Sequence, residues 1–273
     1  MTGSIKIEKI TKIYDPQGSA VHALDNCSCE ISSGKFVAVV GPSGCGKSTL
    51  LNMIAGFDNP TSGSIYLDGD LLADSKFQKK PNSDRVVVFQ NGALFPWKTI
   101  AQNIAYGPTV QKELDSKEAE QEALNLLKKA GNLERIANSY PNQISSGMQR
   151  RVEILRALIN RPKVLLLDEP FRAMDTVSKS KMHQHLLDIH QRFKATILLI
   201  THDLSEAIFL ADTVLVMTTR PGMIKIKIDV DLERPRSQSM ITSDRFVDLQ
   251  KQAINAVHEE ARKAFDRGEK ELA

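Results

Sequence analysis

"KFVAVVGPSGCGKSTLLNMIAGF", residues 35–57, decides the fold of this chain. A short apolar run ends at Gly41, GPSGCGKST fills 41–49, and a helical apolar stretch follows. The spacing is G-x-x-x-x-G-K-[ST], with every required position filled and set between a strand and a helix. Gly41, Gly44 and Gly46 let the backbone turn tightly and aim successive N–H groups at one anion. Pro42, Ser43 and Cys45 occupy the variable positions, and the helix N-terminus adds the positive end of its dipole. Lys47 is then placed to reach the β- and γ-phosphates of a nucleotide, and the Ser48 hydroxyl, followed by Thr49, to ligate Mg²⁺.

A phosphate cradle alone does not say what happens to the nucleotide. "VLLLDEP", residues 164–170, supplies the second half. Asp168 ends a buried apolar strand, where it can hold Mg²⁺ opposite Ser48. Glu169 stands just past the strand end, where a carboxylate can polarise an attacking water. Two adjacent carboxylates at the end of a buried strand are costly without a compensating cation. The two motifs together predict a nucleotide hydrolase.

Outward from these motifs, strand and helix signals alternate, as in an α/β domain with a largely parallel core sheet. "KFVAVVG" (35–41), "RVVVFQ" (85–90), "KVLLLDE" (163–169) and "ATILLITH" (195–202) are dense apolar runs. Continuous hydrophobicity suits strands buried on both faces. "SIKIEKI" (4–10), "GSIYLDG" (63–69) and "MIKIKIDVDL" (223–232) alternate instead, which suits antiparallel strands with one wet face. Residues 101–160 are helix-rich and interrupt the strand series. Within them, Ser145 is a helix cap, Met148, Val152, Leu155 and Ile159 form an apolar stripe, and Asn160-Arg161-Pro162 ends the helix. After the polar "RPRSQS" (234–239), Ser243 can cap a last helix with a stripe of Phe246, Leu249, Ala253, Val257, Ala261 and Phe265.

With 36 Lys+Arg against 33 Asp+Glu, the net charge of +3 does not call for nucleic acid as a partner. Three cysteines, with Cys27 and Cys29 too close for a useful staple, fit a reduced, intracellular compartment. "MTGSIKIEKI" lacks the apolar stretch of a secretory signal. No run approaches the roughly 20 apolar residues of a spanning helix. His183, His185 and His190 lack metal-site context and read as a solvated helix face.

Five landmarks, in order, carry a resemblance. They are "GPSGCGKST", "VVFQNGALFPW", "ISSGMQRR", "LLLDEP" followed by "FRAMD", and "LITHD". Over residues 4–232 the chain resembles the ATP-binding cassette (ABC) ATPases. The finer likeness, in "VVFQNGALFPWKTIAQNIAYG", "RPGMI" and "VDLERPR", is to the ATPase subunits of nitrate/sulfonate/taurine-type importers. The resemblance implies an α/β P-loop NTPase with an antiparallel β subdomain and a helical subdomain. The nucleotide-binding domain would span 1–235, with the helical subdomain over about 95–160, and a C-terminal helical extension 236–273.

It also implies ATP and Mg²⁺ as ligands and a head-to-tail dimer of ATPase subunits, as a homodimer or with a paralogue. Ser145, Ser146, Gly147 and Met148 would cover the ATP lying on the partner's cradle. Ser146 stands where the family has glycine, which predicts a sandwich that closes less tightly. Tyr14 matches the aromatic that stacks on adenine, with a core or loop tyrosine as the competing reading. Gln90 matches the glutamine at the end of a strand that touches Mg²⁺ and water. Asp175 matches the aspartate that talks across the dimer, and His202 the histidine that bonds the γ-phosphate and orients Glu169. "NGALFPW" would line a groove for a membrane permease, and the lone Trp97 fits either core packing or that contact. The system would include a periplasmic or extracellular solute-binding protein, no nucleic acid, and a peripheral position on the cytoplasmic side of the inner (cell) membrane. The implied solute is a small anion or sulfonate-like compound. A non-transport or exporter-type ABC ATPase is the alternative. The last helix reads as regulatory, as a dimer contact or as a packed tail.

Overall fold

The computed structural model describes residues 2–172 and 174–266, with side chains to residue 263. The chain opens with strands β1 (Ile5–Tyr14), β2 (Val21–Ile31) and β3 (Phe36–Val40), then helix α1 (Lys47–Ala55). Strands β4 (Ser62–Leu67), β5 (Asp70–Ala73) and β6 (Arg85–Val88) follow. Helices α2 (Ile100–Val110), α3 (Ser116–Lys129) and α4 (Ser146–Leu158) come next, then β7 (Val164–Asp168) and α5 (Thr176–Phe193). The remainder is β8 (Thr196–Ile200), α6 (Leu204–Leu210), β9 (Thr213–Met217), β10 (Ile224–Asp229) and α7 (Asp244–Asp266).

Two sheets form. One has six strands in the order β10-β9-β3-β8-β7-β6, parallel except for the antiparallel edge strand β10. The other is antiparallel, in the order β2-β1-β4-β5. Successive side chains of a strand point to opposite faces, and the central strands divide their residues accordingly. Val37, Val39, Leu166 and Leu198 pack with α1 against the antiparallel sheet. Phe36, Ala38, Leu165 and Leu199 pack on the other face with the remaining helices. Both faces are covered, which is why these strands read as unbroken apolar runs.

The alternating segments 4–10, 63–69 and 223–232 all contain antiparallel strands, the last one at the edge of the six-stranded sheet. Strands β2, β5 and β9 are absent from the sequence reading. In β2 the register against β1 slips repeatedly and Asn26 sits at φ 45, so the period of two is broken. Strand β9 follows α6 so closely that "AIFLADTVLVM" reads as one apolar helical run. Strand β6 stops at Val88 rather than at Gln90.

The last helix starts as expected, with Ser243 Oγ accepting from Phe246 N–H at 3.3 Å. Its buried stripe is Phe246, Leu249, Ala253 and Ala256, with Val257 partly covered. Ala261 is exposed instead, and the charged Glu260 takes the buried place. Phe265 and residues 267–273 of the expected extension lie outside the described side chains and residues. The helix packs on α6, β9 and β10. The histidines of α5 correct the sequence reading. His183 and His190 are 8 % and 7 % exposed, because they share a face with Met182, Leu186 and Ile189 rather than facing solvent. His190 Nε2–H donates to the Gly34 carbonyl at 3.0 Å, and His183 Nε2 meets Glu206 Oε2 at 3.2 Å. His185 is half-buried.

Candidate functional site

The loop between β3 and α1 closes on itself. Cys45 N–H donates to the Pro42 carbonyl at 3.3 Å, and Leu50 N–H makes the first helical bond, to Gly46 at 2.9 Å. Gly46 is the N-cap residue, at φ 99, and provides no side-chain cap. A Cβ there would stand 2.7 Å from Leu24 Cδ2 and 2.8 Å from the Ala23 carbonyl, so only glycine fits. The amides of the first turn are therefore left to an external anion. Lys47, 7 % exposed, donates from Nζ to the Gly41 and Pro42 carbonyls at 2.8 and 2.9 Å. The Cys45 thiol is free and buried beneath it.

Strand β7 delivers Asp168 to this loop, with Ser48 Oγ 3.4 Å from Asp168 Oδ1. Burial, and then the neighbouring Glu169 carboxylate, push the Asp168 carboxyl above its ordinary range. A hydroxyl and a strained carboxylate side by side at a phosphate cradle are hard oxygen donors whose repulsion a divalent cation offsets. These residues fit Mg²⁺.

Glu169 sits at φ 43, a left-handed conformation uncommon for a side-chain-bearing residue. Its amide is held by the Ile200 carbonyl at 2.9 Å. Its Oε2 lies 3.4 Å from His202 Nδ1 and 3.5 Å from Arg172 Nη1. His202 follows β8, the neighbour of β7 in the sheet, so adjacent strand ends bring acid and imidazole together. Strand β6 pairs with β7 with Val88 opposite Leu167, and Gln90 lies in the bend two residues beyond that last pair.

Tyr14 ends β1 at the mouth of the same pocket, half-exposed, its hydroxyl donating to Asp58 Oδ2 at 2.8 Å. It is not a core residue. The pocket wall also includes Ser43 to Thr49 in large part, Glu169 and Arg220. Ser145, Ser146, Gly147 and Met148 are not part of it. Ser145 is the N-cap of α4, with Oγ accepting from Met148 N–H at 3.4 Å, and Ser145 and Ser146 are exposed. Asp175 caps α5 by accepting from Val177 and Ser178.

Sequence reasoning missed three charged residues here. Arg220 reaches the cradle from the β9–β10 turn, and Arg150 and Glu153 tie α4 to the bend after β6. A basic and an acidic residue three apart on α4 were visible as a pair; their target was not. Trp97 is 72 % exposed, which excludes core packing. It flanks Phe95, whose ring also meets Tyr106 edge-on at 4.7 Å and lies under the Arg156 guanidinium at 5.2 Å. Among the described residues no helix is long and apolar enough to cross a membrane.

A strand–loop–helix cradle facing an acid pair at the end of β7 defines a P-loop nucleotide hydrolase. Residues 24–172 match the family model described as ABC transporter. The chain is 42 % identical over 265 residues to an uncharacterized ABC transporter ATP-binding protein of Methanocaldococcus jannaschii, covering 97 % of this chain and 95 % of that one. It is 39 % identical to the nitrate import ATP-binding protein NrtD of Synechococcus elongatus, covering 94 % and 92 %. The aliphatic sulfonates import ATP-binding protein SsuB of Bacillus cereus is 38 % identical, with coverage of 92 % and 94 %. The dimeric structure of the bacterial ABC transporter cassette MJ0796 superposes with a TM-score of 0.70 at 33 % identity, over 84 % of this chain and 100 % of that chain. The chain belongs to the ABC transporter ATP-binding family, and it is an ATPase of that fold.

Proposed function

We propose that this chain is the ATP-hydrolysing subunit of an importer, working in a head-to-tail pair of ATPase subunits bound to a separate membrane permease. The observation that carries the pairing is the tip of α4. Ser145 and Ser146 are exposed and take no part in the wall of their own chain's nucleotide pocket. Gly147 has no internal need to be glycine, since a Cβ there would meet only Met174 Cε at 3.5 Å, an ordinary contact. A helix start with a serine cap and a spare glycine is suited to an anion brought by another molecule.

In this reading the amides of residues 44–49 and Lys47 hold the phosphates, and Tyr14 stacks on the base. Ser48, Asp168 and Gln90 hold Mg²⁺, which when bound screens the charge on the β- and γ-phosphates. Glu169 accepts a proton from the attacking water while His202 orients it and contacts the γ-phosphate. Ser145 to Met148 of the partner close over that phosphate, and Asp175 contacts the facing subunit. ATP binds the paired state in preference to the open one, and this difference in affinity moves the permease between conformations. Phe95, Trp97 and Tyr106 receive a segment of that permease on the cytoplasmic face. Domain limits of 1–235 and 236–273 belong to the same proposal.

Relatives named for nitrate and aliphatic sulfonate import support a small anionic solute, delivered by an external binding protein. Reconstitution with a candidate permease and binding protein, with ATP inside the vesicle equivalent to the cytoplasm, tests this. Uptake of labelled nitrate or alkanesulfonate that depends on ATP is the expected result. ATP-dependent efflux, or ATPase activity unaffected by the permease, would contradict it.

A further inference from the structure

The turn between β9 and β10, residues 218–223, lies directly against the phosphate-binding loop. Gly222 N–H donates to the Ala23 carbonyl at 3.0 Å, and its own carbonyl accepts from Asp25 at 3.1 Å. A Cβ on Gly222 would lie 2.0 Å from the Cys45 carbonyl oxygen, so turn and loop are in backbone contact. From this turn Arg220 Nε donates to the Gly44 carbonyl at 2.9 Å. Its guanidinium lines the same pocket as Tyr14, Lys47 and Thr49.

The preceding residue is held from the other side. Thr219 N–H donates to Glu260 Oε2 at 3.2 Å. Glu260, on the last helix, is 2 % exposed and meets Lys225 at 2.8 Å and Lys263 at 2.9 Å. A carboxylate at that depth persists only with such partners. Two hydrogen bonds, joined through the Thr219–Arg220 chain, therefore link α7 to the peptide of Gly44.

We propose that Arg220 is a nucleotide-positioning residue of this ATPase, held on the phosphate loop by Glu260, so that the C-terminal helix sets how tightly the cradle grips ATP. The hydrogen bond fixes the orientation of the Gly44–Cys45 peptide. The guanidinium adds a permanent positive charge to a pocket that already holds Lys47. The inference rests on the reading of residues 41–49 as the ATP site.

The test uses the full chain and measures ATP affinity at equilibrium together with KM and kcat. Arg220→Ala raises Kd and KM for ATP about tenfold, as expected for loss of one charged hydrogen bond, while kcat falls by no more than about threefold. Arg220→Lys, which keeps the charge, recovers part of the affinity. Glu260→Gln raises KM about threefold, and the double variant Arg220→Ala/Glu260→Gln is no weaker than Arg220→Ala alone, because both act on one path. Circular dichroism and melting of each variant separate this from unfolding, and Arg220→Gln provides a second, smaller perturbation. ATP affinity of folded Arg220→Ala and Arg220→Gln within twofold of the parent would overturn the assignment. Independent, multiplying effects of the two substitutions would overturn the link to α7. Lys47→Ala is the control: if it binds ATP like the parent, the ATP-site reading itself fails, whereas loss of binding in Lys47→Ala with parental Arg220 variants overturns this inference alone.

Discussion

Arg150 donates from Nη2 to the backbone carbonyl of Gln90 at 2.6 Å. The same guanidinium donates to the Phe89 carbonyl at 2.7 Å and pairs with Glu153 at 2.6 Å. Glu153 in turn accepts from Ala93 N–H at 2.8 Å. The helix that starts at Ser145 thus grips, by backbone contacts, the segment that carries Gln90. The two segments are joined through main-chain atoms rather than through side chains free to swing.

Removing one partner of this pair leaves the other charge largely buried. Arg150→Ala and Glu153→Ala should each destabilise the chain by about 2–4 kcal/mol. The double replacement Arg150→Met/Glu153→Leu should recover much of that loss, since no charge is then left unpaired. Chemical denaturation measures all three. Recovered stability without recovered ATPase activity is the expected signature of a coupling role; full recovery of activity would show that the pair serves stability alone.

Ser146 is exposed at the first position of α4, where its side chain faces outward from the chain. Its hydroxymethyl group should hold the facing subunit's phosphate off the helix. Ser146→Gly is expected to tighten ATP-dependent pairing, by about threefold to tenfold in dimer affinity, a change of about 1 kcal/mol. Analytical ultracentrifugation with Mg-ATP reads this. An unchanged or weaker dimer from folded protein would mean that Ser146 does not limit closure.

Burial lowers the pKa of His190 below the ordinary imidazole value, against the opposing pull of the Gly34 carbonyl. The folded chain therefore keeps His190 neutral where the unfolded chain has begun to take up a proton. Stability from this group is complete above the unfolded value of about 6.5 and declines as pH falls below it, since the unfolded state binds more protons. Melting temperature should fall between about pH 6.5 and pH 5. In His190→Gln, which lacks the titration, that part of the fall should be smaller, whatever its stability at neutral pH. An identical pH profile in the variant would remove His190 as its source.

Much of this was legible in the sequence because it is local. The cradle at 41–49, the acid pair at the end of β7 and the cap Ser145 each depend on a few consecutive residues. What was not legible depends on what the fold brings together. Arg220 lies 176 positions from the carbonyl it binds, and Arg150 lies 60 from Gln90. Glu260 is buried because α7 docks on the β9–β10 turn, so a residue that reads as a solvated acid becomes a partner of Thr219. The buried histidines were misread as a solvated face, although His183, Leu186 and His190 follow helical spacing on one face. Strand β2 was hidden by its own irregular register.

The central claim is that the α4 tip serves a nucleotide held by another chain. Glu169→Gln should preserve the site's shape while removing the carboxylate that accepts the water's proton, so ATP is bound and not consumed. The mass of purified Glu169→Gln protein, measured by light scattering with and without Mg-ATP, should double on adding nucleotide. With Ser145→Arg added, the ATP-induced dimer should be lost while each monomer still binds ATP, because Ser145 stands outside its own chain's pocket. A double variant that still dimerises with ATP, or that fails as a folded monomer to bind ATP at all, would contradict the account.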